Sequence, residues 1–327
     1  MTTSPLLTIA IPTFNREDTL RQLLSTLKVE ISHQPNQDII EILVVDNAST
    51  NYSFTEFSIK FNAEGFQVKF LQNQENLGMD GNFKCCVKNS RGKYMWLISD
   101  DDLIVPNAID HVMNILSDRD NGCIIVNYDV YDSQLQTRLI DSVVKEKQDN
   151  CSSVLARSTL ISITIMNREL LMAEQSLLQY FDRYLGTYYY SYTIVIFLAL
   201  KYGYYFYEKS LIRFRSSASS SVPPASMMML ALEPYKIFRD VYVKLYEEGM
   251  PPVKYLKKDF IKSNIEPWIK HEKRVGTLNW TKMSEVIKTF GVTPALINII
   301  LLYVMPMWFL SGIYFLLKRK RIPINHA

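Results

Sequence analysis

Ser99-Asp100-Asp101-Asp102 is the part of the chain where side-chain types most clearly ask for chemistry. Three consecutive carboxylates follow the apolar run Tyr94 to Ile98, and like charges a few Å apart repel and raise one another's pKa. A divalent cation neutralises them directly. Asp oxygens are hard ligands suited to Mg²⁺ or Mn²⁺, which can bridge to a diphosphate and stabilise negative charge on a departing nucleoside diphosphate. An acidic helix N-terminus ahead of Pro106, supported by the helix dipole, satisfies the same residues. The triplet alone leaves both open, and three further polar clusters favour the metal: Pro12 to Arg16, Asp46 to Thr50, and Asn73 to Gly78.

Those clusters need elements that bring them together. Leu6 to Ile11, Ile39 to Val45, Phe66 to Leu71 and Tyr94 to Ile98 read as strands, the second as one buried on both faces. Between them, Leu20, Leu23, Leu24 and Leu27 recur at helical spacing, with Asn15 or Asp18 available as cap, and Asn82 to Asn89 reads as a helix. Pro106 opens another helix, with Ala108, Ile109, Val112, Met113 and Leu116 on one face. Strand and helix in alternation argue for an open parallel sheet with right-handed crossovers, whose ligand sits beyond the carboxyl ends of the strands. Pro12 to Arg16, Asp46 to Thr50 and Ser99 to Asp102 fall at those ends.

Further along, Leu155 to Asn167 reads as a strand, and Leu170 to Leu185 and Tyr190 to Leu200 as helices. Ser216 to Pro224 is a low-complexity hinge, followed by a helical stretch from Ala225 to about Phe290. Of the 20 Tyr of the chain, ten crowd between Tyr180 and Tyr207. Most of them read as aromatic core, with one or two available to a sugar acceptor. Between Lys288 and Lys318 no residue is charged. The segment ALINIILLYVMPMWFLSGIYFLL is long enough to cross a bilayer, although Pro294, Pro306 and Gly312 interrupt it. Lys318 to Arg321 then suits anionic lipid headgroups. Membrane attachment is expected here, whether spanning or interfacial, against the alternative of a buried helical hairpin.

Composition closes off other classes. With 48% hydrophobic and 21% charged residues the chain has material for a sizeable core, which excludes a disordered or collagenous protein. A net charge of +3 is too small for a general nucleic-acid binder. Four Cys without CxxC spacing argue against a zinc site, and only four His leave carboxylates as the ligands for any metal. The start Met-Thr-Thr-Ser-Pro has no basic n-region and is not expected to be a signal peptide.

Taken in order, Pro12-Thr13-Phe14-Asn15-Arg16, Val45-Asp46-Asn47-Ala48-Ser49-Thr50, Asn76-Leu77-Gly78 with Asn82, Gly92-Lys93-Tyr94, and Ser99 to Asp102 with Pro106 resemble the family 2 glycosyltransferases of the GT-A fold. Asp-Asp-Asp after a Trp-Leu strand is similar to the abequosyltransferase-like branch, whose members decorate bacterial surface polysaccharides. The resemblance covers residues 5 to 125 well and 125 to 220 weakly.

That resemblance implies an α/β domain over residues 1–220, an open mixed sheet flanked by helices, with a nucleotide-sugar half to about 105 and an acceptor half beyond. A helical extension would cover 221–290 and an apolar segment with basic tail 291–327. It implies that Pro12, Thr13, Asn15, Arg16 and Asp46 line the nucleoside pocket with Asn47, and that Asn76, Gly78 and Asn82 sit near base and ribose. Gly78 fits an ordinary left-handed turn equally well. Asp101 would be the direct metal ligand, supported by Asp100 and Asp102, with Mg²⁺ or Mn²⁺ as cofactor. The family's first Asp falls on Ser99, a departure from the pattern.

The family's Glu-Asp base pair is absent from Tyr180 to Tyr192, which leaves Asp182 and Asp102 as candidates for the base. Arg213 and Arg215 fall where the family has basic residues near the diphosphate, and read equally as surface-strand arginines. The implied reaction is transfer of one sugar, with inversion, from a nucleotide-sugar to a lipid-linked oligosaccharide acceptor on the cytoplasmic face of an inner membrane. A non-catalytic, membrane-tethered glycan-binding protein is the alternative. A nucleotidyltransferase would need an early Gly-rich loop, and a processive synthase a Gln-x-x-Arg-Trp motif; neither is in the sequence.

Overall fold

The computed structural model describes residues 4–142, 158–216, 226–249 and 280–290, with a few isolated positions between and after them. The chain divides into two compact units, Met1–Ser221 with Ile237–Pro252, and Val222–Lys236 with Val253–Ala327.

The first unit is built on a mixed sheet that holds nine strands among the described residues. β1 (Leu7–Thr13) is buried along its whole length, as expected of a strand covered on both faces. α1 (Glu17–Ser32) follows, burying Leu20, Leu23, Leu24, Leu27 and Ile31 at helical spacing. Its N-cap position is Arg16, without a side-chain cap; the expected Asn15 and Asp18 do not serve. β2 (Ile40–Asp46) pairs parallel with β1. α2 (Phe54–Ala63) went unread in the sequence, yet Ser53 caps it by accepting from the Glu56 N–H at 3.3 Å, and Phe54, Phe57 and Phe61 form its buried face.

β3 (Lys69–Gln72) pairs parallel with β2, and α3 (Gly78–Asn89) begins four residues before the expected start. β4 (Tyr94–Leu97) returns to the other side of β1, again parallel. Here Gly92 is obligatory: a Cβ would lie 2.5 Å from the Thr8 amide nitrogen. β5 (Leu103–Ile104) precedes α4 (Ala108–Asp118), entered through Asn107 in the left-handed region.

Beyond α4 antiparallel pairings enter the sheet. β6 (Cys123–Tyr131) carries β7 (Arg138–Ile140) at its edge. The strand expected over Leu155 to Asn167 is only β8 (Thr164–Asn167), inserted antiparallel between β4 and β6. A 3₁₀ turn at Ile161–Ile163 precedes it. The helix expected over Leu170 to Leu185 breaks at Glu174 into α5 (Arg168–Ala173) and α6 (Gln175–Phe181). α7 (Tyr190–Tyr202) is buried along nearly its whole length. β9 (Tyr204–Arg215), unpredicted, runs parallel to β6 and antiparallel to β5. The open parallel sheet inferred from the strand–helix alternation holds for β3, β2, β1 and β4; the whole sheet, in the order 3-2-1-4-8-6-9-5, is mixed, as the resemblance implies.

The division between units falls inside α8 (Ser226–Glu247), which contains Pro234. In the second unit, α9 (Trp280–Phe290) places Phe290 against Tyr235, with ring centroids 4.1 Å apart. Among the described residues no helix is long and apolar enough to cross a membrane. The apolar segment and basic tail over 291–327 lie, but for Leu296, outside the described residues.

Candidate functional site

β1 lies between β2 and β4; the chain goes out to one side of it and comes back on the other. At such a reversal the loops after the strands part and leave a crevice. A cleft of about 300 Å³ opens there. Pro12, Thr13, Phe14 and Arg16 from the end of β1, Asn47 after β2, and Asn76, Gly78, Met79, Asn82 and Phe83 at the start of α3 line it, together with Ser99, Asp100 and Ile161.

The asparagines of the cleft hold one another. Asn47 Nδ2 donates to Asn76 Oδ1 at 2.7 Å and to the Gly78 carbonyl at 3.2 Å. Its Oδ1 accepts from the Leu77 N–H and from Asn73 Nδ2. Asn82 donates to the Val45 carbonyl at 3.0 Å, tying α3 to β2. Gly78 has φ +72° and open space around its Cα, so the left-handed turn, not a close approach, calls for glycine.

Two expected contacts are spent internally. Asp46 is fully buried and accepts from Ser49 and from Gln72 Nε2, so its carboxylate does not line the cleft; Asn47 does. Asn15, at φ 57°, accepts the Thr50 and Asn51 N–H groups and staples two loops, facing a separate depression with Tyr52.

The aspartates divide into two kinds. Asp100, 2% exposed, receives Thr13 Oγ1 at 2.7 Å and Arg16 Nη1 at 2.8 Å. Burial pushes its carboxyl up to about 6, against the opposing pull of Arg16 and Thr13. Asp101 is more open and takes the same Arg16 nitrogen at 2.9 Å and Ser99 Oγ at 2.5 Å. Burial opposes the charge on Arg16, yet Asp100 and Asp101 more than offset it and hold the guanidinium above its ordinary range. Asp102 turns the other way: its oxygens accept Ser162 Oγ at 2.6 Å and the Arg215 N–H at 3.0 Å. Burial, with the Asp101 charge beside it, lifts Asp102 to about 7.

Asp100 and Asp101 thus share Arg16, and Asp102 has other partners. Among the described residues no three His, Cys, Asp or Glu side chains are grouped to hold an ion. Asp102, expected as metal ligand and as base, faces away from Arg16, toward Ser162 Oγ and the Arg215 N–H. Asp100 and Asp101 do fit a cation of the Mg²⁺ type. Such ions are bound through one or two carboxylates and complete their shell with water and substrate phosphates. Asp100 lines the cleft, and its Oδ1 and Asp101 Oδ2 offer hard oxygens that meet at the one Arg16 nitrogen.

The remaining candidates fall outside the cleft lining. Asp182 pairs with Lys84 at 2.7 Å in a different depression, between α3 and α6, and is not brought to the aspartates. Arg215 donates to the carbonyls of Asp101 (2.7 Å) and Ser133 and to Gln22, and Arg213 covers the Tyr131 ring at 4.5 Å. Both serve the loop walls.

Sequence reasoning missed Met79, Phe83 and Ile161 as lining residues, and Ser162 as the partner of Asp102. Met79 and Phe83 lie beside the quoted motifs. Nothing local marks Ser162. It also missed Asp80, which is buried and accepts the N–H groups of Tyr188 (2.8 Å) and Tyr190 (3.3 Å). Tyr188 is held at φ 70° and is 64% exposed, whereas Tyr189, Tyr190 and Tyr192 are core.

A family model described as Glycosyl transferase family 2 matches residues 8–196. The abequosyltransferase RfbV of Salmonella typhimurium is 33% identical over 104 residues, 32% of this chain and 30% of that protein. An uncharacterized glycosyltransferase of Rickettsia prowazekii, RP339, is 32% identical over 133 residues, 40% of this chain and 39% of that protein. The matched stretches thus span about a third of these relatives' own length. Among solved structures, residues 1–349 of S. aureus TarS in complex with UDP-GlcNAc superpose with a TM-score of 0.52 at 15% identity, covering 88% of this chain and 93% of that one. The mannosyltransferase PcManGT from Pyrobaculum calidifontis, in complex with GDP-Man and Mn²⁺, gives 0.50 at 14% identity, covering 88% and 80%. Both share the fold.

Proposed function

The chain belongs to glycosyltransferase family 2, and from that premise we propose that it moves a single sugar from a nucleotide-sugar to a hydroxyl of a lipid-linked oligosaccharide in surface polysaccharide assembly. The observation that carries this reading is the cleft between the ends of β1 and β4, polar on its floor through Arg16, Asp100 and the linked asparagines. The named neighbours, bound to UDP-GlcNAc and GDP-Man, support a nucleotide-sugar as donor.

In this reading Asn47 fixes the Asn76 to Gly78 turn that walls the nucleoside side. Thr13 and Ser99 orient Asp100 and Asp101 through their hydroxyls. Asp101, with Asp100, would hold Mg²⁺ or Mn²⁺, which when bound supplies positive charge to the departing diphosphate. Inversion follows the family resemblance. The base is left unassigned among the chain's own residues, since Asp102 and Asp182 are both engaged elsewhere.

The acceptor and the site of action rest on the sequence of 291–327, apolar and then basic, which suits attachment to the cytoplasmic face of an inner membrane. Removing residues 293–327 should release the protein from membrane vesicles and lower transfer to a polyprenyl-diphosphate-linked acceptor. Equal transfer by the truncated protein to a lipid-free acceptor would count against a lipid-linked one. For the donor, thermal unfolding is followed with UDP, GDP, CDP and dTDP, each with Mn²⁺; one of them should raise the midpoint by mass action. No shift with any would remove the nucleotide reading.

A second reading, a non-catalytic glycan-binding protein, is favoured because among the described residues Asp100 is the one carboxylate that lines the cleft. Release of free sugar from the donor that gives the thermal shift separates the two: a catalyst hydrolyses it slowly, a binder leaves it intact.

A further inference from the structure

Arg16 meets two carboxylates through one atom. Its Nη1 lies 2.8 Å from Asp100 Oδ1 and 2.9 Å from Asp101 Oδ2. The other oxygen of each carboxylate is tied back by a hydroxyl, Thr13 Oγ1 on Asp100 Oδ2 at 2.7 Å and Ser99 Oγ on Asp101 Oδ1 at 2.5 Å. One oxygen from each aspartate is therefore aimed at a common point, and a cationic nitrogen stands on it. Asp102 takes no part, since Ser162 and Arg215 engage both its oxygens.

We infer that Arg16 is an exchangeable counter-ion: it holds the place of the divalent cation in the ligand-free protein and gives it up when a metal–nucleotide complex binds. The inference rests on the reading of the cleft as a nucleoside diphosphate site. Its ground is exclusion. A Mg²⁺-type ion takes carboxylate oxygens at about 2.0–2.1 Å, so the ion and the guanidinium nitrogen cannot share those two oxygens. Two cations at one point would also repel.

The arginine has the freedom to leave. Its side chain is 46% exposed, it stands at the N-cap position of α1 without a capping bond, and it lines the cleft. A diphosphate in the cleft would offer the displaced guanidinium a new bidentate anionic partner. Without a nucleotide no such partner is present, and metal binding must break two ion pairs for no return. Metal and nucleotide therefore bind with positive coupling, reciprocal by linkage, and part of that coupling passes through Arg16.

The test is equilibrium binding of Mn²⁺ alone to the full chain, read from the electron paramagnetic resonance of free Mn²⁺. Arg16→Met should bind Mn²⁺ about tenfold more tightly than the unmodified protein, a coupling of ordinary size. Arg16→Gln should shift affinity the same way and stands in should the first variant misfold. Arg16→Lys keeps the charge and should stay within about threefold of the unmodified protein. Adding Asp101→Asn to Arg16→Met should abolish the gain. With the nucleoside diphosphate that raises the melting midpoint, Mn²⁺ affinity should rise by a larger factor in the unmodified protein than in Arg16→Met.

Mn²⁺ binding that is unchanged or weaker in folded Arg16→Met and Arg16→Gln, or absent from both, overturns the inference. Nucleotide-dependent Mn²⁺ binding that is lost in Asp101→Asn but indifferent to Arg16 defeats the counter-ion role alone. Binding that survives Asp101→Asn defeats the metal assignment beneath it.

Discussion

The two ends of the sheet each bury a carboxylate beside an arginine, and they treat it in opposite ways. At the amino end, Glu41 on β2 is 6% exposed and accepts Thr8 Oγ1 (2.7 Å), the Arg91 N–H (2.9 Å) and Arg91 Nε (2.7 Å). Burial alone would raise its carboxyl, but these three donors more than offset it and hold Glu41 below the usual carboxylate range. At the carboxyl end, Asp100 and Asp102 have donors too, yet burial prevails and both sit high, at about 6 and about 7. A carboxylate supplied with more donors than its burial requires is a brace. One whose burial outweighs its donors holds a proton more readily, and at the edge of a cleft it is free to exchange that proton for another partner.

The sharpest way to break this contrast is Asp101→Ala. Removing an open ligand should lower sugar transfer about a hundredfold or more, while the melting midpoint without ligand stays nearly unchanged; undiminished transfer would end the functional assignment of the pair. A pH series sharpens it. Asp100 and Asp102 bind protons more tightly folded than unfolded. Between about pH 4 and about 7 the folded chain therefore holds the extra protons, and stability without ligand should fall as pH rises through that window. Asp100→Asn should flatten the slope in urea unfolding measured from pH 4.5 to 7.5. Glu41 acts with the opposite sign, its contribution being lost as pH falls through its depressed value.

Glu41→Gln tests the brace directly. It should cost about 2 kcal/mol in urea unfolding and leave nucleotide affinity within about twofold, because the site lies at the far end of the strands. Asn47→Ala should have a smaller effect, raising the KM for donor about fivefold through the loosened Asn76 to Gly78 turn, or about 1 kcal/mol, in steady-state assays. Last, Asp182→Asn should leave turnover within about twofold, since an exposed pair with Lys84 contributes little. A hundredfold loss there would restore Asp182 as the base.

What could be read from the chain alone follows the strength of local signals. β1, β2 and β4 are continuous apolar runs ending in polar residues, so both the strands and the place of the cleft were legible. α2 could have been found from Ser53 and Glu56 three residues apart ahead of spaced phenylalanines. β9 could not be found so easily: its tyrosines, glutamate and lysine blur the period, and its place is fixed by pairing with β6 across more than seventy residues of chain. The aspartate triplet was visible as a run, but its division into a cleft pair and an inward tie depends on Ser162 and Arg215, which only the fold brings near. The left-handed Tyr188 carried no signal at all.

Asp80 joins parts that the chain keeps far apart. Its carboxylate takes the amides of Tyr188 and Tyr190 while its neighbours on the same helix, Gly78, Met79 and Asn82, wall the cleft. The tyrosine-bearing bend and the cleft-lining turn of α3 thereby share one anchor. Loss of the Asp80 carboxylate would therefore free both the bend that carries Tyr188 and the turn beside the cleft.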